Sequence, residues 1–337
     1  MKSVGRELKN SSSGNRSRMF NYFLQVMIFL GGAALLIFSV EKFVGNLVRT
    51  SYTYGISAFI LAVIFAGMDF ENWGFGISAV LKGVPDIALG SAIGSAMFLM
   101  GAAIVIGGFI TPFDSKTPRD YLLLMIMSPV MLLLFLLDGM LTRIDGVIIL
   151  FIFALILLYL VRRERTSKRA RLRDEEVEEA AEELGKTSEK KWIYPTLMII
   201  FLIGIVIGAE LSVRGAKELV QNLGLSGTIF GMTIVGLVMS LEEVLLVVEP
   251  VRKGEVSVAT GNIVGSLIFF SLGNIGLLAA IRGFSISESV LTFYWPVMFA
   301  TILLVGVFLV RGKIGRAEAI ILAGIYLAYW VISYGFL

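Results

Sequence analysis

The stretch Met239-Ser240-Leu241-Glu242-Glu243 decides how this chain folds, because it puts two adjacent glutamates in the middle of a long apolar run. A charged side chain at the centre of a bilayer costs on the order of 2.5–3.5 kcal/mol on insertion scales. Such side chains are retained where they face a cavity lined by protein. The stretch therefore predicts an ion pathway inside a bundle of membrane helices.

The same pattern of polar residues occurs twice, at a fixed offset of 171 positions and without a gap. Glu71 falls on Glu242, Asn72 on Glu243, Asp69 on Ser240, and Ser95 on Ser266. Matched polar residues at one offset indicate an internal repeat. The second copy continues to Lys253-Gly254 and Gly261-Asn262-Ile263-Val264-Gly265-Ser266, and the first continues to Lys82-Gly83 and Gly90-Ser91-Ala92-Ile93-Gly94-Ser95.

The composition is that of a membrane protein. Of the 337 residues 57% are hydrophobic and the mean hydropathy is +0.86, whereas soluble domains are about 45–50% apolar. Strand-period alternation is absent, which favours an all-α polytopic fold over a barrel. Without cysteine or histidine the chain lacks thiol chemistry, a histidine proton relay and the usual zinc or haem ligands, so we expect no cofactor. A net charge of +3 is too small to indicate nucleic-acid binding.

The apolar runs predict about ten membrane helices in two groups of five. Because five is odd, two equivalent groups must enter the membrane in opposite senses, as an inverted repeat. The predicted organisation is a polar tail at 1–19, a first repeat at 20–162, a charged linker at 163–192 and a second repeat at 193–337. The predicted spans lie near 20–43, 56–80, 86–111, 121–138, 145–162, 193–220, 227–251, 256–281, 288–311 and 315–336.

The distribution of Lys and Arg predicts the orientation. Most of the 29 positive residues lie on the membrane face that holds the linker. Positive residues concentrate on the cytoplasmic face, so we expect the protein in the plasma membrane with its linker in the cytoplasm. The polar tail, also basic, opposes this assignment. The linker itself is predicted to be a solvated helical connection between the repeats. It has a basic block followed by an acidic block, so a regulatory role or a contact with anionic lipid is the alternative interpretation.

Inverted superposition of the repeats should bring oxygen-bearing side chains together near the membrane midplane. Oxygen-only sites suit hard cations, and calcium takes about six to eight such ligands. The two carboxylates of Asp69 and Glu243 match a divalent charge. On regular helices, Glu71 and Glu242 would point away from this group, which leaves a cation pathway or proton coupling open for them. The predicted cation site consists of Asp69, Asn72, Ser95, Ser240, Glu243 and Ser266.

These motifs resemble the cation/calcium exchanger superfamily. Its two inverted repeats typically read G-T-S-L-P-E, then lysine-glycine, then G-N-x-I-G-S-N. Here the corresponding segments begin Gly67-Met68-Asp69-Phe70-Glu71-Asn72 and Val238-Met239-Ser240-Leu241-Glu242-Glu243. The second repeat matches well, whereas the first is divergent.

The resemblance implies that the calcium-binding glutamates of the family fall on Asn72 and Glu243, of which only Glu243 keeps its carboxylate. Asp69 takes the place of a ligating serine and could restore the lost charge. Glu71 and Glu242 stand where the family has a helix-breaking proline. Polar positions that help to hold sodium fall on Leu99 and Phe270, and the threonine positions fall on Met68 and Met239.

The expected function is that of a secondary active antiporter that exchanges Ca²⁺ for H⁺ by alternating access. The loss of sodium ligands favours protons as the counter-ion, with a Na⁺/Ca²⁺ exchanger as the alternative. The long spans near 20–43 and 193–220 would be the rocking pair. A passive cation channel is the alternative of another class, and no charged ring or repeated filter sequence supports it. An intramembrane enzyme is disfavoured because no nucleophile has a neighbouring base.

Overall fold

A computed structural model of the protein describes residues 2–53, 68–115, 117–166, 192–254 and 256–337. The described chain is almost entirely helical, as the apolar runs predict. We number its helices in chain order. They are α1 (Lys2–Thr53), α2 (Phe70–Leu81), α3 (Pro85–Ile110), α4 (Arg119–Leu136), α5 (Arg143–Thr166), α6 (Ile193–Leu223), α7 (Gly227–Met239), α8 (Glu243–Arg252), α9 (Val256–Ile281), α10 (Val290–Arg311) and α11 (Arg316–Gly335).

The prediction of a polytopic helical membrane protein is confirmed. Within the described ranges, eight helices are long and apolar enough to cross a membrane, and the bent pair α7–α8 would make a ninth span. The predicted span at 56–80 lies partly outside the described residues, which resume at residue 68. The backbone of α1 is helical from Lys2, so the residues predicted as a polar tail continue into the first span. Most of the predicted linker, 167–191, also lies outside the described residues.

Two short antiparallel strand pairs show that the repeats are inverted. Strand β1 (Phe113–Asp114) pairs with β4 (Lys313–Ile314), and β2 (Met140–Leu141) pairs with β3 (Phe284–Ser285). The single span α4 lies between β1 and β2, so the two strand pairs are on opposite faces of the membrane. β1 and β3 follow equivalent helices, 171 positions apart, yet they lie on these opposite faces. The two copies therefore enter the membrane in opposite senses.

The central helices α3 and α9 share a further irregularity. Each contains a π-helical turn, at Leu99–Ala103 in α3 and at Phe269–Asn274 in α9, and the two turns are related by the same repeat offset. These two helices are also the most buried of the candidate spans in the described part of the chain. The matched turns and the high burial together place the middle of α3 and α9 in the interior of the helix bundle, and such turns frequently lie at functional sites.

The span predicted near 227–251 is present, but it is a broken helix instead of a continuous one. Helix α7 ends at Met239 and α8 begins at Glu243, with a bend of 42° between them. Ser240 leaves the helical region at φ −122° and ψ 19°. No proline forces this break. Side chains of the other repeat instead hydrogen-bond the end of α7, since Asn72 Nδ2 donates to Met239 O at 3.4 Å and Ser95 Oγ donates to Gly236 O at 3.5 Å.

Glycines allow the helices of the two repeats to approach closely. The helices α1 and α6 pack along their length, and a Cβ on Gly32 would lie 2.3 Å from the backbone nitrogen of Ser212. Helix α3 crosses α7 in the same way, where a Cβ on Gly94 would lie 2.4 Å from Met232 O. Small residues are the usual means of close helix packing in membranes. The contact between α1 and α6 joins the two predicted rocking helices.

We expect Gly32→Ala to lower the melting temperature of the detergent-solubilised protein. The added methyl group must displace the backbone of α6, and overpacking of this kind costs about 1–3 kcal/mol. Its neighbour Gly31 is the matched control, because a Cβ there meets no atom within 4 Å. Gly31→Ala should be neutral or stabilising by about 0.5–1 kcal/mol, the helix preference of Ala over Gly. Equal melting temperatures for the two variants would contradict the tight α1–α6 packing.

Candidate functional site

The first half of the candidate site is organised by Asp69, which caps the start of α2. Its Oδ1 accepts a hydrogen bond from the backbone nitrogen of Asn72 at 2.7 Å, and its Oδ2 accepts one from Asn72 Nδ2 at 2.6 Å. Aspartate is among the preferred residues at this position because its side chain satisfies an otherwise unpaired helix N–H. The side chain is buried, with 7% exposure. Each carboxylate oxygen keeps a lone pair for a further ligand.

Asn72 connects Asp69 to helix α3. Its Oδ1 accepts hydrogen bonds from Ser91 Oγ at 2.7 Å and from Ser95 Oγ at 3.1 Å. Ser91 donates its single hydrogen to Asn72, and Ser95 shares its hydrogen between Asn72 Oδ1 and the more distant Gly236 O. The lone pairs of both serine oxygens therefore remain available to a cation. Asn72 therefore orients oxygen ligands around itself even though it carries no charge.

The second half of the site is built around Glu243, the first residue of α8. Its Oε2 accepts a hydrogen bond from Asn262 Nδ2 at 2.8 Å, and the buried Ser266 lies one helical turn beyond Asn262 on the same face of α9. The glutamate is 1% exposed. A buried carboxylate is stable in such a place when hydrogen bonds and a cation compensate its charge.

The two halves repeat each other residue by residue. Asn72 with Ser91 and Ser95 in the first copy corresponds to Glu243 with Asn262 and Ser266 in the second, and each pair of partners lies on the next helix. Ser91 and Asn262 were not among the predicted site residues. Their signal is present in the sequence, because each precedes a predicted site serine by four residues and thus lies on the same helix face.

The structure brings the two halves together. A carboxylate oxygen of Asp69 lies within 4.8 Å of one of Glu242, the neighbour of Glu243, although the two residues belong to opposite repeats. Ser240 lies in the break before α8 and is fully buried. Its hydroxyl has no hydrogen-bond partner within the described part of the chain. The predicted residues of both copies are thus buried around the breaks that precede α2 and α8.

The prediction that Glu71 and Glu242 point away from Asp69 is wrong. Carboxylate oxygens of Asp69, Glu71 and Glu242 lie within 4.8 Å of one another, and Glu71 is buried. The prediction assumed regular helices, whereas Asp69 has extended backbone angles and Glu242 lies in the turn before α8. The equivalent glutamates of the two repeats consequently meet beside Asp69.

The positions where the resemblance implies polar groups are apolar and packed. Leu99 and Phe270 are completely buried, one in each π-helical turn, and Met239 is buried at the end of α7. Met68, just before Asp69, is half-buried. These four positions therefore add no oxygen ligands to the carboxylate, hydroxyl and amide oxygens of the candidate site. Such oxygens are the ligand types that hard cations take in proteins.

Comparison with known proteins agrees with this architecture. The sequence model of the family described as "Sodium/calcium exchanger protein" matches residues 24–162 and 193–335, one match for each repeat. An uncharacterised membrane protein of Methanocaldococcus jannaschii is 27% identical over 311 residues, which cover 90% of this chain and 96% of that protein. The inner membrane protein YrbG of Escherichia coli is 26% identical over 320 residues, covering 92% and 97% of the two chains.

A solved structure shares the fold. The sodium-calcium exchanger NCX_Mj, soaked with 10 mM Na⁺ and 10 mM Sr²⁺, superposes with a TM-score of 0.57 at 23% sequence identity, covering 94% of this chain and 99% of that chain. At this identity the likeness concerns the fold alone. The family match, by contrast, covers most of both repeats. The chain therefore belongs to the sodium/calcium exchanger family, within the cation/calcium exchanger superfamily.

Proposed function

We propose that the protein is an antiporter that exchanges Ca²⁺ for H⁺ across the membrane. The observation that carries the proposal is the burial of Asp69 and Glu243, one from each inverted repeat, where Asp69 lies within 4.8 Å of the neighbouring Glu242 and Asn72 hydrogen-bonds to Met239 O. An intramembrane carboxylate is a functional candidate by default, and two of them match the charge of a divalent cation.

Calcium binds in this proposal between the two half-sites. Asp69 and Glu243 supply the charge, while neutral oxygens complete the coordination. Asn72 and Asn262 hold the two carboxylates through their amide N–H groups, at 2.6 and 2.8 Å, so that the lone pairs not used in these bonds face the ion. The proposed ligands are Asp69, Asn72, Ser95, Ser240, Glu243 and Ser266.

Protons are the proposed counter-ion because they compete for the same carboxylates. Burial disfavours an uncompensated charge, so the carboxylates hold either the metal ion or protons, and this exclusion couples the two fluxes. Glu71 and Glu242, beside Asp69, would line the cation pathway or pass protons to it. The apolar Leu99 and Phe270 argue against dedicated sodium sites. A Na⁺/Ca²⁺ exchanger is the second candidate, supported by the fold shared with NCX_Mj.

Alternating access requires one group of helices to move against another. The paired helices α1 and α6 are the proposed mobile element, because they are long, pack on each other through glycine contacts, and stand at equivalent positions in the two repeats. A passive channel on the same polar midplane would need no such motion. The two classes differ in one measurable property, the ability to move calcium against its own gradient.

The proposed location is the plasma membrane, with the linker at 163–192 in the cytoplasm. Lys and Arg concentrate on the linker face, which is also the face of the β1–β4 pair. The β2–β3 pair would then face the outside of the cell.

The experiment that tests the function is calcium flux into proteoliposomes under imposed gradients. With equal calcium on both sides, a pH gradient should drive calcium accumulation and an equal sodium gradient should not. At fixed calcium, uptake should weaken as the pH falls on the side from which calcium binds, because protons then occupy the carboxylates. Accumulation driven by sodium alone would transfer the assignment to a Na⁺/Ca²⁺ exchanger. Calcium that only equilibrates down its own gradient would indicate a channel.

A further inference from the structure

Helix α9 carries two buried polar side chains that the cation site does not use. Ser271 and Asn274 lie in its π-helical turn and are 0% and 1% exposed. The Ser271 hydroxyl and both amide atoms of Asn274 lack a hydrogen-bond partner in the described part of the chain. Buried polar atoms in proteins are nearly always paired, with water where no protein group is available. Three unpaired atoms on neighbouring residues therefore point to a ligand.

These residues lie on the side of α9 that continues from the cation site. Asn262 hydrogen-bonds to Glu243, and steps of four residues from Asn262 lead to Ser266, Phe270, Asn274 and Leu278. Leu278 packs against α2, since a Cβ on Gly76 would lie 2.7 Å from its Cδ2. The wider spacing of a π-helical turn also brings Ser271 beneath Ser266. Asn274 is about 12 Å beyond Ser266 along the helix, toward the β2–β3 face.

The polar pair occurs in only one of the two repeats. The equivalent residues of α3 are Met100 and Ala103, which cannot hold water and pack in the apolar core. Because α3 leads to the β1–β4 face and α9 leads to the β2–β3 face, the feature belongs to one side of the membrane. The polar pair therefore makes the two sides of the membrane different, which the repeat symmetry by itself would not do.

We propose that Ser271 and Asn274 hold water that hydrates the transported cation as it passes between the cation site and the β2–β3 face. A hydroxyl and an amide each offer a donor and an acceptor, which suits water better than a bare metal ion. Neither residue carries a charge that would retain a divalent cation. Phe270 stands one helical turn after Ser266 and one turn before Asn274, at the place along α9 where the dehydrated ion would meet the water. This inference rests on the proposed transport function.

The double variant Ser271→Ala/Asn274→Leu tests the water site in the full-length protein. Calcium transport in proteoliposomes should slow roughly tenfold, the effect of about one lost hydrogen bond on a rate. The calcium affinity measured by titration calorimetry should change less than about twofold, since the ligands of the cation site are untouched. Ser128→Ala is the control, because this fully buried serine bonds only within its own helix, to Met125 O at 2.9 Å. It should transport at the wild-type rate.

Hydroxyl-radical labelling by X-ray radiolysis gives a second readout that does not depend on transport. Water beside Phe270 and Leu278 should label these buried residues in the wild type, and the double variant should lose the label. A wild type without label, together with a double variant that melts higher and transports normally, would show a dry pocket and overturn the inference. If the wild type is labelled but moves no calcium, the transport function fails, and with it the role of this water in transport.

Discussion

Glu243→Gln is expected to abolish calcium transport while leaving the protein folded. The substitution removes one of the two carboxylates proposed to bind the ion, and we expect the rate at subsaturating calcium to fall by at least about 100-fold. The glutamine can still accept the hydrogen bond that Asn262 donates to the wild-type carboxylate, so the contact between α8 and α9 is retained. Calcium flux in proteoliposomes measures the loss of transport, and the melting temperature measures whether the protein remains folded.

The control for this variant is Glu249→Gln in the same helix. The Glu249 side chain is about half exposed and pairs with Lys253 at 2.8 Å, a surface contact that should contribute less than about 1 kcal/mol. It should transport calcium at the wild-type rate. If Glu243→Gln also transports normally, the candidate site does not bind the transported ion. If Glu243→Gln fails to fold, the role of Glu243 is structural.

The global organisation follows from the sequence because it depends on regularities that local chemistry imposes. Apolar runs long enough to span a bilayer give the helices, and the shared offset between Glu71 and Glu242 gives the repeat. The odd number of spans in each copy then requires inversion. The strand pairs β1–β4 and β2–β3 show this inversion, and nothing in their two-residue sequences predicts them as strands.

The details of the site were harder to predict because they depend on contacts between distant segments. The break at Ser240 contains neither proline nor glycine, so no local signal marks it. Asn72 and Ser95, which bond the end of α7, belong to the other repeat and lie more than a hundred positions away. The position of Glu71 beside Asp69 depends on the extended backbone before α2, and a helical wheel therefore places it on the wrong face.

Ser91 and Asn262 illustrate a different kind of omission. They follow from the repeat and from helical periodicity, but each looks ordinary when considered alone. Only their shared role gives them meaning, since each hydrogen-bonds to the residue at the equivalent position of the preceding helix, Asn72 or Glu243. Comparing the two repeats is therefore more informative than either repeat alone. It shows that the arrangement of hydrogen bonds is the same in both, whereas the position of the negative charge differs.

In the second repeat this arrangement holds a carboxylate, Glu243, whereas in the first it holds the amide of Asn72. The negative charge of the first repeat sits three residues earlier, on Asp69. Ser240 occupies the position equivalent to Asp69 in the second repeat. The pairs Asp69/Asn72 and Ser240/Glu243 therefore each carry one carboxylate, at different places on the same frame. If the count of carboxylates matters more than their position, the first repeat should accept the residues of the second.

Asp69→Ser is accordingly expected to reduce calcium transport by about 100-fold, and Asp69→Ser/Asn72→Glu to restore it to within about tenfold of the wild type. Serine caps a helix about as well as aspartate, so the single variant should keep α2 and lose only the charge. The double variant gives the first repeat the same two residues, serine and glutamate, that the second repeat has at Ser240 and Glu243. The new glutamate can accept the hydrogen bonds that Ser91 and Ser95 donate. Flux assays with melting temperatures for both proteins measure the outcome. Full transport by Asp69→Ser would exclude Asp69 as a ligand, and a double variant as inactive as the single one would mean that the carboxylate must stand at Asp69 itself.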